Sequence, residues 1–240
     1  MSPVQHLLAL LVVLVGAAIQ GAVGFGANLF AAPLLILIDP KLVPGPVVIG
    51  TSVLNILVLR RERAPHAWRE MSWAIGGQLP GAIAGAAVLK VITGDNLAIF
   101  FGLLILGAVG LSLSGLHPRR SRGSMAVAGV LSGFMGTAVG IGGPPIALLF
   151  QKAEGPEIRA ALSRFFFVSG TVSLAMLIVF GRFGWDDLVQ GLLLVPGTFA
   201  GYLLSSRLLA HVNRERVRLA VLVLSAASAI IAIARALLGS

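Results

Sequence analysis

One stretch of this chain occurs twice. Gln20-Gly21-Ala22-Val23-Gly24-Phe25-Gly26-Ala27-Asn28 is answered 116 residues later by Gly136-Thr137-Ala138-Val139-Gly140-Ile141-Gly142-Gly143-Pro144. Ala22, Val23, Gly24 and Gly26 recur as Ala138, Val139, Gly140 and Gly142. Pro80-Gly81 and Gly85 recur in the same register as Pro196-Gly197 and Gly201, and Pro40 recurs as Pro156. One match would be cheap in a glycine-rich chain, but three in a single register are not. A fixed long period marks internal duplication. The chain reads as two copies of one unit, residues 1–116 and 117–240, within a single membrane domain.

The copies are apolar. Hydrophobic residues make up 57% of the 240 and charged residues 11%, against roughly 25% charged in a soluble domain. This is the composition of an integral membrane protein. There is no cysteine, and His6, His66, His117 and His211 have no ligand spacing, so no disulfide, metal or cofactor is expected. A net charge of +9 would suit nucleic acid if the basic residues were clustered. They stand instead between apolar runs, where they orient a chain in a bilayer, so the lipid bilayer and not nucleic acid is the expected partner. The first apolar run lacks a basic leader and passes straight into the repeat, so it does not read as a signal peptide.

Apolar runs occupy about 4–38, 43–59, 71–92, 96–116, 124–150, 160–181, 186–208 and 215–238. About 20 residues of helix cross the hydrocarbon core, and helix is expected because lipid cannot satisfy backbone polar groups. The expected fold is an all-α polytopic membrane protein of about eight transmembrane or re-entrant segments, four per repeat. Runs one and five, some 35 and 27 residues long, hold the glycine motifs. Each is either one long tilted helix or two helical pieces broken at the glycines.

Charge placement bears on that choice. With one crossing per run, the 18 Lys and Arg residues divide nine and nine, which gives no orientation. If runs one and five enter and leave on the same side, fourteen share one face and four the other. The positive-inside bias favours the second count, with both termini outside. The halves are then inverted repeats, a transporter plan in which broken helices meet near the midplane.

Gly24, Gly26, Gly140, Gly142 and Gly143 allow positive φ and close backbone approach. Asn28 is expected to cap a helix over 29–38, and Pro144 and Pro145 to open one over 146–150. Each motif would then end in a helix N-terminus, whose free N–H groups and partial positive charge suit an anion. The plainer reading of these glycines is tight helix packing through small residues. All nine acidic residues lie in loops or at run ends, so no mid-membrane carboxylate is available for proton or cation coupling. Arg159 and Arg164 stand at the start of run six, where they either snorkel to the interface or hold an oxyanion with a guanidinium fork. Gln20, Asn28, Thr51, Ser52, Asn55, Gln78 and Thr137 are the neutral groups able to line a path. Pro80, Gly81 and Gly85, with Pro196, Gly197 and Gly201, read as packing and hinge elements.

These residues are also familiar. Gly24-Phe25-Gly26 with Asn28, Ala32-Pro33-Leu34-Leu35 and Ile49-Gly50-Thr51-Ser52 resembles the first half of the TauE/SafE sulfite-exporter family. Gly140-Ile141-Gly142-Gly143-Pro144-Pro145 and Arg159-Ala160-Ala161-Leu162 resemble its second half. Ala27 departs from the pattern, standing where many relatives have another glycine. The resemblance covers nearly the whole chain. It implies a multi-pass carrier of the bacterial inner membrane exporting small anions such as sulfite, thiosulfate or organosulfonates, with H+ or Na+ as a conceivable coupling ion. The expected substrate-binding residues are Gly24, Gly26, Asn28, Thr51, Gly140, Gly142, Gly143, Pro144 and Arg159. A passive anion channel and a non-transporting assembly subunit are the alternatives. An enzyme is not expected, because the runs supply no nucleophile–base pair and no metal ligands.

Overall fold

The computed structural model of the chain describes residues 1–62, 68–92, 95–150, 155–208 and 214–238. Among these, the helices are α1 Pro3–Val23, α2 Ala27–Ile38, α3 Gly45–Arg61, α4 Trp68–Val91, α5 Asp95–Leu113, α6 Arg122–Val139, α7 Gly143–Leu149, α8 Gly155–Val179, α9 Trp185–Leu208 and α10 Arg214–Leu238. A short 3-10 turn at Pro40–Leu42 joins α2 to α3. No strand occurs among the described residues.

The two long runs are each a pair of helices, not one tilted helix. In α1, the Ser2 hydroxyl accepts from the Gln5 amide and the Gln5 side chain accepts from the Ser2 amide, with Pro3 in the first turn. The helix stops at Gly24, whose φ of 105° is left-handed, and α2 starts after Gly26 at the same φ. A Cβ at either position would strain the backbone. The other long run breaks in a related way: α6 ends at left-handed Gly140, φ 76°, and α7 begins after Gly142. Gly142 has an ordinary φ of −89°, so three of the five motif glycines take the positive φ expected of them, while a Cβ on Gly142 would come 2.9 Å from the Ser132 carbonyl. Pro144 and Pro145 fall in the first turn of α7, where a missing N–H costs nothing. Pro80 and Pro196 lie inside α4 and α9, which continue through them.

Six helices are long and apolar enough to cross a membrane, over Pro3–Val23, Met71–Val91, Asn96–Leu113, Ile158–Val179, Trp185–Ser206 and Glu215–Leu238. The broken pieces are not. At 12 and 7 residues, α2 and α7 rise roughly 18 and 10 Å, well short of a core of roughly 30 Å. Their ends must stop inside the protein.

Neighbour relations follow a pattern. Helix α1 packs on α9 and α6 on α4; α3 packs on α9 and α8 on α4; α2 packs on α10 and α7 on α5. Helices α3 and α8 meet each other, as do α5 and α10. Exchanging α1–α5 for α6–α10 turns each of the first six helix pairings into another of them and leaves the last two unchanged. Glycine makes the closest of them possible. Gly77, Gly81 and Gly85 of α4 face backbone carbonyls of Ala126, Val130 and Phe134 on α6, while Gly129 and Gly133 of α6 face those of Ala74 and Gln78. Gly197 and Gly201 of α9 lie in the same way on Leu10 and Leu14 of α1. Close backbone approach across small residues is how helices associate where lipid removes the hydrophobic drive.

The ends of the helices gather at two faces. Met1, the turn after α2, Leu97 at the start of α5, and Gly181–Asp187 between α8 and α9 border one outer cavity. His117 before α6, Ile158 of α8, and Glu215 and Arg218 of α10 border another. The second face is rich in arginine. There, Arg61 donates to the Gly21 carbonyl of α1, Arg120 to the Leu149 carbonyl at the end of α7, and Arg218 to the Ser112 carbonyl near the end of α5. Cations on carbonyls near helix C-termini are favourable, which gives part of the +9 charge a structural use.

Candidate functional site

The two breaks meet. Between them lies a cavity of about 50 Å³, several times the roughly 10–15 Å³ that one water needs. The first break contributes Gln20, Phe25, Gly26, Asn28 and Leu29, and the second Gly136, Gly140, Ile141, Gly142, Gly143 and Pro144. Helix α3 adds Val48, Thr51 and Asn55, and α8 adds Phe166, Ser169, Gly170 and Ser173. On both helices the contributing positions run i, i+3, i+7, one face of a 3.6-residue period.

Hydrogen bonds tie these pieces together. Asn28 Nδ2 donates to the Gly140 carbonyl at 2.7 Å and to Thr51 Oγ1 at 3.3 Å. Asn28 thus bridges the two breaks. This corrects its expected role: Gly26 is the N-cap of α2, and Asn28 lies inside the first turn with its side chain directed to the other half of the chain. Gln20 Nε2 donates to Asn55 Oδ1 at 2.8 Å, and Gln20 Oε1 accepts from the Ala27 amide at 3.3 Å. One free N–H at the start of α2 is therefore capped from α1. Across the cavity, Thr137 Oγ1 donates to Ser173 Oγ at 2.8 Å, and Gln78 Nε2 to the Ser169 carbonyl at 2.8 Å. Ser52 donates to Val48 within its own helix.

Of the residues singled out in the sequence, Gly26, Asn28, Thr51, Gly140, Gly142, Gly143 and Pro144 line this cavity, and Gly24 and Arg159 do not. Those two belong together elsewhere. A Cβ on Gly24 would come 3.1 Å from Arg159 Cγ, so the glycine makes room for the arginine. Arg159 is buried, and its Nε lies 2.7 Å from Glu62 Oε1 at the end of α3. Arg61 reaches the same oxygen at 3.1 Å. Burial raises the Glu62 pKa, but Arg159 and then Arg61 more than offset it and hold the carboxyl below its ordinary range. Arg159 is thus engaged in an ion pair between halves at the arginine-rich face. Its expected partner, an oxyanion, is replaced by a carboxylate that sequence proximity gave no reason to choose. Arg164 is also buried away from the cavity lining.

Gln20 and Asn55 do line the cavity, as their polarity in apolar runs suggested. Phe25, Phe166, Ser169 and Ser173 were not legible as site residues. Only their helical spacing on α8, and the place of Phe25 between two left-handed glycines, could have marked them. Phe25 also borders the outer cavity at the arginine-rich face, together with Pro144. Its counterpart in the repeat, Ile141, is 1% exposed and lies in the core.

Comparison with known proteins matches most of the chain. The family model described as sulfite exporter TauE/SafE matches residues 8–232. A protein of Cupriavidus necator named as a probable sulfite/organosulfonate exporter, TauE, is 28% identical over 209 residues, 80% of this chain and 79% of that protein. No solved structure matches the chain. With its apolar helices the chain is a multi-pass membrane protein, and the family consists of membrane exporters rather than enzymes. It belongs to the TauE/SafE sulfite exporter family.

Proposed function

We propose that the chain is a secondary carrier exporting small anions, such as sulfite, thiosulfate or organosulfonates, across the bacterial inner membrane by alternating access. The observation that carries this reading is the polar cavity enclosed by both helix breaks. A cavity at the meeting of two broken helices is where transporters of inverted-repeat design bind substrate. The name of the Cupriavidus necator relative supplies the substrate class. Gly26, Gly140, Gly142 and Gly143 bring backbone close to the substrate, Pro144 fixes the start of α7, and Asn28 and Thr51 hold the two breaks in register.

The exchange symmetry of the helix pairings supports reading 1–116 and 117–240 as repeats. The sorting of helix ends into two faces supports their inversion, with the arginine-rich face in the cytoplasm. In this conformation access is from that face. Phe25 lines both the central cavity and the outer one at that face, while Ile141 lines the central cavity and packs in the core. The Glu62–Arg159 pair joins the two halves on the access side, so in this scheme it is a latch that makes and breaks as they rock.

The test is flux in proteoliposomes of sulfite, sulfate, thiosulfate, a short sulfonate and a carboxylate, for the native chain and Asn28→Ala. Saturable flux with counterflow, reduced about tenfold or more in the variant (a loss of about 1.4 kcal/mol) while the fold is kept, is the expected result. Flux linear in concentration without counterflow would indicate a channel. No flux of any anion would remove the carrier reading.

A further inference from the structure

We infer that the cavity takes anions of single negative charge, so that sulfite travels as the hydrogen-sulfite monoanion and brings its own proton. This rests on the carrier reading above. None of the residues lining the cavity among those described is ionisable: the polar ones are Gln20, Asn28, Thr51, Asn55, Ser169 and Ser173. Arg159 stands outside this lining and is paired with Glu62.

What the cavity offers instead is neutral groups, donors together with one buried acceptor, Asn28 Oδ1, that has no partner among the described residues. Asn55 is 2% exposed and commits Oδ1 to Gln20; its Nδ2 has no hydrogen-bond partner among the described residues. Ser173 Oγ accepts from Thr137 and keeps its own hydrogen. The second hydrogen of Gln20 Nε2 is likewise unspent on Asn55. Charge decides what such a set can hold. The cost of enclosing an ion away from water grows as the square of its charge, so a dianion costs about four times as much as a monoanion of equal size. Attraction to neutral donors grows only in proportion to charge, about twofold. A fixed cation would close that gap, and none lines the cavity. Sulfonates are monoanions at every physiological pH; sulfite changes between one and two charges near neutrality; sulfate and thiosulfate are dianions throughout, so on this inference thiosulfate drops out of the substrate set proposed above. The same lining explains where a coupling proton would ride. No side chain of the cavity can carry one, so it moves bound to the substrate, with no bond made or broken in the protein.

Charged and ionisable groups also lie nearby and must be controlled. His117, Glu215 and Arg218 border the outer cavity beyond Phe25 and Pro144, and Glu62, Arg61 and Arg159 cluster at the start of α8. A sulfonate passing the same groups, with a charge that does not change, reports their effect alone.

The experiment measures initial flux of sulfite, a short alkanesulfonate and sulfate into proteoliposomes holding the native chain, at equal pH on both sides, from about pH 5.5 to 8.5. The expected result is sulfonate flux that changes little, no sulfate flux, and sulfite flux that falls about tenfold per pH unit above its second ionisation relative to sulfonate. Sulfite flux that stays level or rises against sulfonate, or sulfate carried as fast as sulfonate, would overturn the inference while leaving the carrier reading in place. Absence of all three fluxes at every pH would remove both.

Discussion

Glu62 and Arg159 stand 97 positions apart. Together they form a pair whose side chains are 10% and 8% exposed. Removing one partner of such a pair leaves an uncompensated buried charge, at about 3–5 kcal/mol. Glu62→Gln should therefore lower the thermal midpoint in detergent, and adding Arg159→Gln should recover part of the loss; a double-mutant cycle measures the coupling. The pair also sets a pH dependence. The folded-state pKa of Glu62 lies below its ordinary 4.5. Its stabilisation is thus fully present above the unfolded value and is lost as pH falls through the folded one. Acidification below about pH 4.5 should destabilise the native chain more than Glu62→Gln; parallel melting curves for the two would contradict this. Arg159 also shows what residue-level reading could not supply. An arginine at the start of an apolar run looks like an anion ligand until the fold delivers a carboxylate to it.

At the scale of elements, the same glycine means different things on different helices. A Cβ on Gly85 of α4 would come 2.6 Å from the Phe134 carbonyl of α6, whereas one on Gly107 of α5 meets nothing within 4 Å. Gly85→Ala should cost about 1–3 kcal/mol through forced separation of α4 and α6. Gly107→Ala should instead stabilise by about 0.5–1 kcal/mol, because alanine loses less freedom in a helix. Thermal midpoints of the two variants in one detergent test the contrast, and equal shifts would refute it. The repeated Pro-Gly motif reads as packing and hinge elements, and its glycines do pack. The breaks at Gly24 and Gly140 were legible too, since lone left-handed positions inside an apolar run leave glycine as the ready choice. That Asn28 would reach over to Gly140 was not, because a cap and a bridge use the same side chain.

For the whole molecule, the open question at the sequence level was how the chain crosses the bilayer. The grouping of helix ends bears on it directly. Pro118 before α6 and Asp186 at the start of α9 are both exposed, and the chain has no cysteine of its own. Single substitutions Pro118→Cys and Asp186→Cys should be labelled by an impermeant thiol reagent from opposite sides of the membrane. Labelling from the same side would match one crossing per apolar run and would sink the inverted arrangement.

By itself the sequence determined that this chain is helical, lies in a membrane and carries one glycine motif in two places. Those are local consequences of composition and of a period that repeats. Only the tertiary structure decided which polar groups meet. Seven of the nine expected site residues gather at one cavity because two short helices end inside the protein and face each other across α3 and α8. Arg159 goes elsewhere because a buried charge is drawn to the nearest opposite one, and nearness is a property of the fold.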